Sequence, residues 1–195
     1  MKKILSVLAL SLLTNYSLSV YASELSYSYV SAAYQSIELF GEDGDGVGLV
    51  GSFEIGDQAF ITASYSSLAS DDTYNNGSII DDLEIDAFTL GFGFHTPISD
   101  TTDLVTTISY LDQELDYGGS VDGDGFGINV GIRSKVSETV ELGGSFTYVD
   151  FEGETDNSFS LGARYLATET ISFGLGHTSA DDADSITIDL RLNLN

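Results

Sequence analysis

The sequence predicts an all-β protein: an up-and-down antiparallel transmembrane β-barrel of about ten strands, with eight strands as the alternative. Apolar and polar residues alternate with a period of two along most of the chain after residue 23, which is typical of strands that have one apolar face. Short connections alternate with longer acidic connections, as they do in outer-membrane barrels. The polar faces are mostly Gly, Ser, Thr and Asn with few charges, which suits a narrow lumen rather than a water-facing surface.

Residues 1–22 have the pattern of a secretory signal peptide. Lys2 and Lys3 provide a positive start, the apolar run ILSVLALSLL follows, and Val20 and Ala22 precede the expected cleavage site. The apolar run is too short to span a bilayer as a helix. We therefore expect one barrel domain over residues 23–195, exported to a bacterial outer membrane.

The charge balance excludes a nucleic-acid partner. Removing 22 of the 195 residues leaves 173, lowers Lys+Arg from 6 to 4 and takes the formal net charge from −25 to −27. Binding to phosphates requires Lys and Arg. The composition of 42% hydrophobic and 11% aromatic residues argues against disorder. Because the chain has no cysteine, we expect neither disulfides nor thiol chemistry.

Ten strands follow from the alternation, and the polar and apolar faces of each can be assigned. Near the C-terminus, for example, Ile186 and Ile188 alternate with Thr187 and Asp189. The predicted strands span residues 25–38, 46–55, 59–68, 83–95, 104–116, 125–134, 139–151, 158–166, 170–178 and 185–194. Tyrosines near the strand ends are candidates for the interfacial girdles: Tyr27, Tyr29, Tyr65, Tyr110, Tyr148 and Tyr165.

The connections give the barrel a direction. Those at 56–58, 96–103, 134–139 and 167–170 are mostly short, whereas the others are acidic, rich in Gly and Asn, and often longer. An even strand count places both termini on the same side, so we expect the short turns in the periplasm and the acidic loops outside. Each acidic loop leads into a similar two-stranded hairpin. This repetition indicates an up-and-down sheet that arose by the addition of successive hairpins.

The sequence DGDG occurs twice, at 43–46 and 122–125, and resembles part of a calcium loop. A calcium loop needs oxygen ligands at positions 1, 3 and 5 and a carboxylate at position 12. Position 5 is Val47 in one copy and Phe126 in the other, and position 12 of the second copy is Arg133. The pattern predicts a tight acidic loop entering a strand. Weak divalent-cation binding is the alternative, with these candidates: Asp43, Asp45, Asp122 and Asp124.

Charged residues on the inward faces predict a second candidate site, a group of ion pairs in the lumen. Three of the four cations of the processed chain share the polar-face parity of their strands, and three carboxylates do the same. Buried charges must pair. We expect an ion-pair network that fills the periplasmic half of the lumen, formed by Glu54, Arg133, Glu141, Arg164, Asp189 and Arg191.

The sequence contains few residues that could form a catalytic site, and we predict neither catalytic residues nor a cofactor. Only two histidines are present. His95 lies beside Pro97 at a predicted periplasmic turn, where an interfacial role explains it. His177 precedes Ser179 by two residues, a spacing that resembles the His-x-Ser of outer-membrane lipid A deacylases, but the acid would have to be Asp181 or Asp182 from a loop.

The segments YSYVSAAYQSIE, DGDGVGLVGSFEI and FITASYS resemble small Gram-negative outer-membrane β-barrel proteins. The resemblance is to the xanthomonad quorum-associated and plant-immunity activator proteins and, more loosely, to the OmpA and OmpX barrels. It implies a barrel inserted by the barrel-assembly machinery. Such barrels usually end in an aromatic residue that this machinery reads, whereas this chain ends in RLNLN, where Leu194 is the expected substitute.

Two non-catalytic functions fit these features. The first is a closed barrel with a structural or surface-interaction role, whose acidic loops contact lipopolysaccharide, divalent cations or host molecules. The second is a narrow, porin-like pore in which the acidic loops favour cations. The crowded lumen and the predicted arginine network favour the closed barrel.

Overall fold

The computed structural model describes residues 26–39, 42–70, 73–75, 78–80, 84–116 and 119–194. The predicted signal peptide, residues 1–22, lies outside the described residues. No helix within the described ranges is long and apolar enough to cross a membrane. The strands are β1 (Tyr29–Leu39), β2 (Glu42–Ile55), β3 (Ala59–Ser70), β4 (Thr73–Asn75), β5 (Ser78–Ile80), β6 (Glu84–Ser99), β7 (Thr102–Asp116), β8 (Ser120–Lys135), β9 (Val140–Phe151), β10 (Glu154–Leu166), β11 (Ile171–Ala180) and β12 (Ala183–Asn193).

Ten of these strands form a closed antiparallel barrel, which confirms the predicted fold class. Successive barrel strands are neighbours, and β1 closes the sheet by pairing with both β2 and β12. Tyr29 lies opposite Ser52 on one side and Asn193 on the other. The alternative of eight strands is wrong. The remaining strands, β4 and β5, pair only with each other and form a separate ribbon between β3 and β6.

The two ends of the barrel differ. We call the end at which β1 starts and β12 finishes the terminal end, and the opposite end the loop end. Toward the loop end the strands extend beyond the predicted bounds: β2 starts at Glu42 and β8 at Ser120. Two residues, Glu152 and Gly153, join β9 to β10, and both have positive φ (51° and 86°), as in a tight hairpin turn. The expected longer acidic loops are therefore mostly strand, and the long connection is residues 71–83.

The outer face of the barrel is a broad apolar band. Phe53, Ile108 and Phe126 are each about 60% exposed, although side chains of this size are normally buried in water-soluble proteins. A closed barrel leaves no unpaired backbone edge in hydrocarbon, so this band is the lipid-facing surface. Four of the tyrosines predicted for the girdles lie exposed on this face: Tyr65, Tyr110, Tyr148 and Tyr165.

Inside, the side chains form layers along the barrel axis. Nearest the loop end is an apolar layer of nine residues that are at most 7% exposed: Ile37, Leu68, Ile85, Ala87, Leu111, Leu115, Val149, Phe151 and Ala183. Below it is a layer of buried small polar residues: Ser66, Thr89, Ser109, Asn129, Thr147, Ser160, Thr178 and Thr187. Charged side chains fill the lumen near the terminal end and are described in the next section.

The apolar layer corrects the expectation that the inward face is polar throughout. On β7, inward Leu111, Gln113 and Leu115 alternate with outward Asp112, Glu114 and Asp116. The wall at the loop end thus resembles that of a soluble barrel, because most inward residues are apolar and most carboxylates face outward, although Gln113 and Asp156 are buried inside. Because charged residues on the lipid face are costly, this part of the wall must stand in water beyond the apolar band.

Phe151 fills the centre of the apolar layer because two glycines of the neighbouring strand make room for its ring. It is fully buried (0% exposed). A Cβ on Gly123 would lie 2.6 Å from its Cε1 atom, and a Cβ on Gly125 would lie 2.8 Å from its Cδ2 atom. Both distances are shorter than a van der Waals contact allows, so the large ring and the glycines are complementary.

Phe151→Ala is expected to lower the free energy of unfolding by about 3–5 kcal/mol, since it leaves a cavity in a packed layer. Urea-induced unfolding after refolding into detergent micelles measures the loss. Phe159→Ala is the matched control, because Phe159 is 52% exposed on the lipid-facing surface. A loss at Phe159 as large as that at Phe151 would contradict the assignment of the two faces.

Candidate functional site: the lower lumen

The charged layer near the terminal end contains five of the six predicted network residues. We call it the ionic layer: Arg133, Glu141, Arg164, Asp189 and Arg191. Arg133 on β8 and Glu141 on β9 flank one turn, and Arg133 Nη2 lies 3.2 Å from Glu141 Oε1. Both side chains are at most 4% exposed. The desolvation of these charges is offset only by such pairing.

A second ion pair crosses one strand. Arg164 on β10 reaches past β11 to Asp189 on β12, with Nη2 2.9 Å from Oδ1. Arg164 Nη1 also donates to Ser172 Oγ at 3.2 Å, and Ser31 Oγ donates to Asp189 Oδ2 at 3.1 Å. Gly174 on β11 lies directly beneath this pair, because a Cβ there would collide with Asp189 Oδ1. The strand between the two partners therefore needs a residue without a side chain.

Arg191 does not pair with a carboxylate among its described contacts. It is completely buried, its Nη2 donates to the backbone oxygen of Ser26 at 2.9 Å, and its Cζ lies 3.5 Å from the centroid of the Tyr29 ring. A carbonyl oxygen and an aromatic face thus stabilise the guanidinium. Tyr29, which we expected in a girdle, is turned into the lumen instead.

Glu54, the sixth network residue, lies next to a histidine rather than an arginine. Its Oε1 is 3.5 Å from His95 Nε2, and Asp103 Oδ2 is 3.5 Å from His95 Nδ1. His95 is 8% exposed and lies in strand β6. The interpretation of His95 as an interfacial turn residue is therefore wrong, because β6 continues through Pro97 to Ser99 and carries the imidazole inward.

Below the ionic layer, an aromatic cluster closes the terminal end. We call it the stopper: Tyr27, Phe60, His95 and Val105. The Tyr27 ring stacks on His95 with centroids 3.8 Å apart and on Phe60 with centroids 4.9 Å apart. Its hydroxyl donates to Asp103 Oδ2 at 3.0 Å. Tyr27 is 1% exposed, so its assignment to a girdle is also wrong.

Little free space remains beside these groups. A cavity of about 10 Å³ lies next to Glu141, Arg164 and Asp189, which is room for about one water molecule. Several buried polar atoms of the lumen have no hydrogen-bond partner among the described residues, including Arg133 Nε, Arg191 Nε and Glu141 Oε2. Ordered water is the usual partner of such atoms.

The DGDG residues do not converge. Asp43 and Asp45 lie on β2, and Asp122 and Asp124 lie on β8, all with exposed side chains. Three strands separate β2 from β8 in the barrel. Within the described ranges, no group of three or more His, Cys, Asp or Glu residues is placed to hold a metal ion. The interpretation of DGDG as a loop is wrong, since both copies lie in strands.

The His177 region lies on the outer face, far from the lumen. His177 Nδ1 is 3.0 Å from the backbone oxygen of Ser185, and Nε2 is 3.8 Å from Asp184 Oδ1. The carboxylate beside His177 is therefore Asp184, not Asp181 or Asp182. Ser179 is exposed on the same face, and the described contacts of His177 do not include it.

One signal for these contacts was present in the sequence. Tyr29 shares the parity of Ser31 and is opposite to that of Val30 and Tyr34, which places it inward. Asp103, in contrast, lay in a segment taken as a turn. The pairing of each cation with its carboxylate depends on the stagger of the closed barrel, which alternation does not specify.

Arg164→Leu is expected to lower the free energy of unfolding by about 3–5 kcal/mol, because it leaves the Asp189 carboxylate buried without its partner. The double substitution Arg164→Leu with Asp189→Leu should recover much of the loss. Lys135→Leu is the control, as it removes the same charge at the rim of the terminal end. Urea-induced unfolding in micelles tests all three, and additive losses in the double variant would contradict a coupled pair.

Several solved structures match this chain. The structure of the NanC porin matches with a TM-score of 0.52 at 9% identity, covering 86% of this chain and 100% of the other. Neisserial surface protein A matches with a TM-score of 0.45 at 13% identity, covering 87% and 98%. The N-terminal barrel domain of Pseudomonas aeruginosa OprF matches with a TM-score of 0.42 at 11% identity, covering 86% and 99%. At such identities the likeness concerns the fold alone.

No curated protein sequence matches the chain, and the finer resemblance to the xanthomonad proteins stays a prediction. A family model does match. It is described as the outer membrane protein beta-barrel domain and covers residues 5–189, which is most of the 195 residues. The chain therefore belongs to the outer-membrane protein β-barrel family.

Proposed function

We propose that the protein is a closed, non-catalytic outer-membrane barrel with a structural and surface-interaction role. The observation that carries the proposal is the apolar layer, whose nine side chains are at most 7% exposed. An aqueous channel would have to pass through this layer. A barrel of this width is filled by such packed side chains, most of them apolar, although Gln113 and Asp156 are buried among them, and this packing obstructs water and ions. The ionic layer and the stopper lie in the lumen beneath it.

The outer wall at the loop end supports the surface role. Its outward positions form an acidic belt of twelve carboxylates: Glu38, Asp43, Asp45, Glu84, Asp86, Asp112, Glu114, Asp116, Asp122, Asp124, Asp150 and Asp184. Several of them face each other directly across strands, as Asp112 faces Asp124 and Glu114 faces Asp122. Like charges in such positions are destabilising unless counter-ions screen them.

The natural surroundings of the belt supply such counter-ions. With the terminal end in the periplasm, the belt lies at the level of the outer-leaflet headgroups. The phosphates of lipopolysaccharide are also anionic, so divalent cations between the two surfaces reduce the repulsion on both. The proposed partners are accordingly lipopolysaccharide and divalent cations, held diffusely along the belt, together with the barrel-assembly machinery during insertion.

A narrow cation-preferring pore is the second candidate. It is favoured by the porin fold of the NanC neighbour and by the acidic belt, which would concentrate cations at the outer mouth. The unpartnered polar atoms of the lower lumen are also compatible with water inside the barrel.

Single-channel recording of the refolded protein in a planar bilayer separates the two candidates. The closed barrel is expected to give no conductance steps. Replacing Leu111, Leu115 and Phe151 together by Ser should produce them if the variant folds, because these side chains belong to the apolar layer. Regular cation-selective steps from the unmodified protein would overturn the closed-barrel proposal in favour of the pore.

The belt predicts a dependence of stability on divalent cations. In lipopolysaccharide-containing micelles with a chelator, Asp112→Asn is expected to raise the free energy of unfolding by about 0.2–1 kcal/mol, since it removes the repulsion from Asp124. The same substitution should reduce the stabilisation that added Ca²⁺ provides. Asp57→Asn is the control, because Asp57 lies in a turn at the terminal end. Equal effects of the two substitutions would contradict a role for the belt.

A further inference from the structure

The stopper contains a histidine whose two ring nitrogens both face carboxylates. His95 Nε2 lies 3.5 Å from Glu54 Oε1, and His95 Nδ1 lies 3.5 Å from Asp103 Oδ2. Neither nitrogen makes a hydrogen bond within the described part of the chain. The ring is 8% exposed and is held flat against Tyr27, so it is not free to turn either nitrogen toward water.

The protonation state of this imidazole decides whether both contacts are attractive. An ionised carboxylate only accepts hydrogen bonds, and neutral imidazole has one N–H donor and one lone pair. Neutral His95 would therefore present its lone pair to one of the two carboxylates. The imidazolium form donates on both sides and makes two charge-assisted contacts.

The neighbouring strands bring two further groups near the ring. Phe60 from β3 belongs to the stopper, stacks on Tyr27 and carries no charge. Arg133 from β8 lies with its Cζ 5.1 Å from the centroid of the Tyr27 ring, but its charge is paired with Glu141 from β9. Glu54 from β2 and Asp103 from β7 are thus the two charges that face His95 directly.

Closure of the terminal end depends on the same groups. Asp103 also accepts the Tyr27 hydroxyl at 3.0 Å. Residues 26–28, which precede β1 and which we call the N-terminal segment, include Tyr27, whose side chain is buried in the stopper. The backbone oxygen of Tyr27 accepts from Ser52 Oγ at 2.7 Å. The segment is thus attached through Ser52, Asp103 and His95. It is also held by Arg191, which donates to the Ser26 oxygen at 2.9 Å, and by the Leu194 N–H, which donates to the Ser28 oxygen at 2.8 Å.

We infer that His95, Glu54 and Asp103 form a pH-sensitive clamp that holds the N-terminal segment in the periplasmic mouth of the barrel. When His95 is protonated, its two N–H groups attract both carboxylates and the stopper stays closed. When His95 loses its proton, one carboxylate faces a lone pair, the Asp103 contact to Tyr27 loosens and the segment leaves the mouth more often. This regulation is independent of whether the apolar layer blocks conduction.

Cysteine labelling tests the clamp, since the chain has no native cysteine. Ser26→Cys places one thiol in the segment, where the Ser26 hydroxyl makes only local contacts with Ser28. The rate of modification by a membrane-impermeant maleimide is measured in refolded protein at about pH 5 and about pH 8, which bracket histidine titration. Each rate is divided by that of the urea-unfolded variant at the same pH, which cancels the ionisation of the thiol.

The normalised rate is expected to be about tenfold lower at the acidic pH, which corresponds to about 1.4 kcal/mol. Adding His95→Gln should abolish the difference between the two pH values. Adding His177→Gln should leave it unchanged, because His177 is the only other histidine and lies on the outer face.

Three results would overturn the clamp: equal normalised rates at both pH values, a lower rate at the alkaline pH, or an undiminished difference in the His95→Gln variant. Heat-modifiable migration in gel electrophoresis reports whether each variant has folded. If His95→Gln does not fold, Asp103→Asn replaces it. Neutral His95 can then make acceptable contacts on both sides, so the difference should shrink, and its full retention would also contradict the clamp.

Discussion

A ten-strand barrel encloses a lumen only slightly wider than the side chains that point into it, and the rest of the structure depends on this constraint. Every inward position must be filled by an apolar side chain, satisfied by a hydrogen bond or paired with an opposite charge. The protein uses each solution at a different depth. Glycines recur where a large neighbour needs the space, as Gly174 does beneath the Arg164–Asp189 pair and Gly125 does beside Phe151.

The ionic layer shows how this constraint acts on charge. Residues 23–195 carry four cations, and three of them are in the lumen, although the same residues carry 31 carboxylates. An arginine inside the barrel can reach across a strand, as Arg164 does, or rest on an aromatic ring, as Arg191 does on Tyr29. A carboxylate outside the barrel can be hydrated. The lumen therefore holds three of the four cations together with the carboxylates that pair with them, whereas most carboxylates lie outside, in keeping with these different costs of burial.

Alternation along the sequence was sufficient to predict the fold, because side chains of a strand point to opposite faces with a period of two. Strands with one lipid-facing and one lumen-facing side must close into a barrel, since an open sheet edge would leave backbone groups unpaired in hydrocarbon. It was insufficient at the strand ends. The Asp-Gly repeats of β2 and β8 contain the turn-forming residues of a loop, yet they pair as strands, since neighbouring strands supply partners that the local sequence does not reveal. Likewise, Pro97 suggested a turn, whereas the pairing of β6 with β7 continues past it. The partners of Glu54 and Arg191 depend on the stagger of the closed sheet and could not be predicted from spacing.

The reversal of polarity along β7 has a mechanical consequence. Within one continuous strand, the outward side chains from Leu104 to Tyr110 are apolar apart from Thr106, and those from Asp112 onward are acidic. Sliding the barrel toward its terminal end would carry carboxylates into hydrocarbon, and sliding it toward its loop end would expose the apolar band to water. Both displacements cost free energy. The distribution of apolar and acidic side chains along this strand therefore sets the depth at which the protein sits in the membrane.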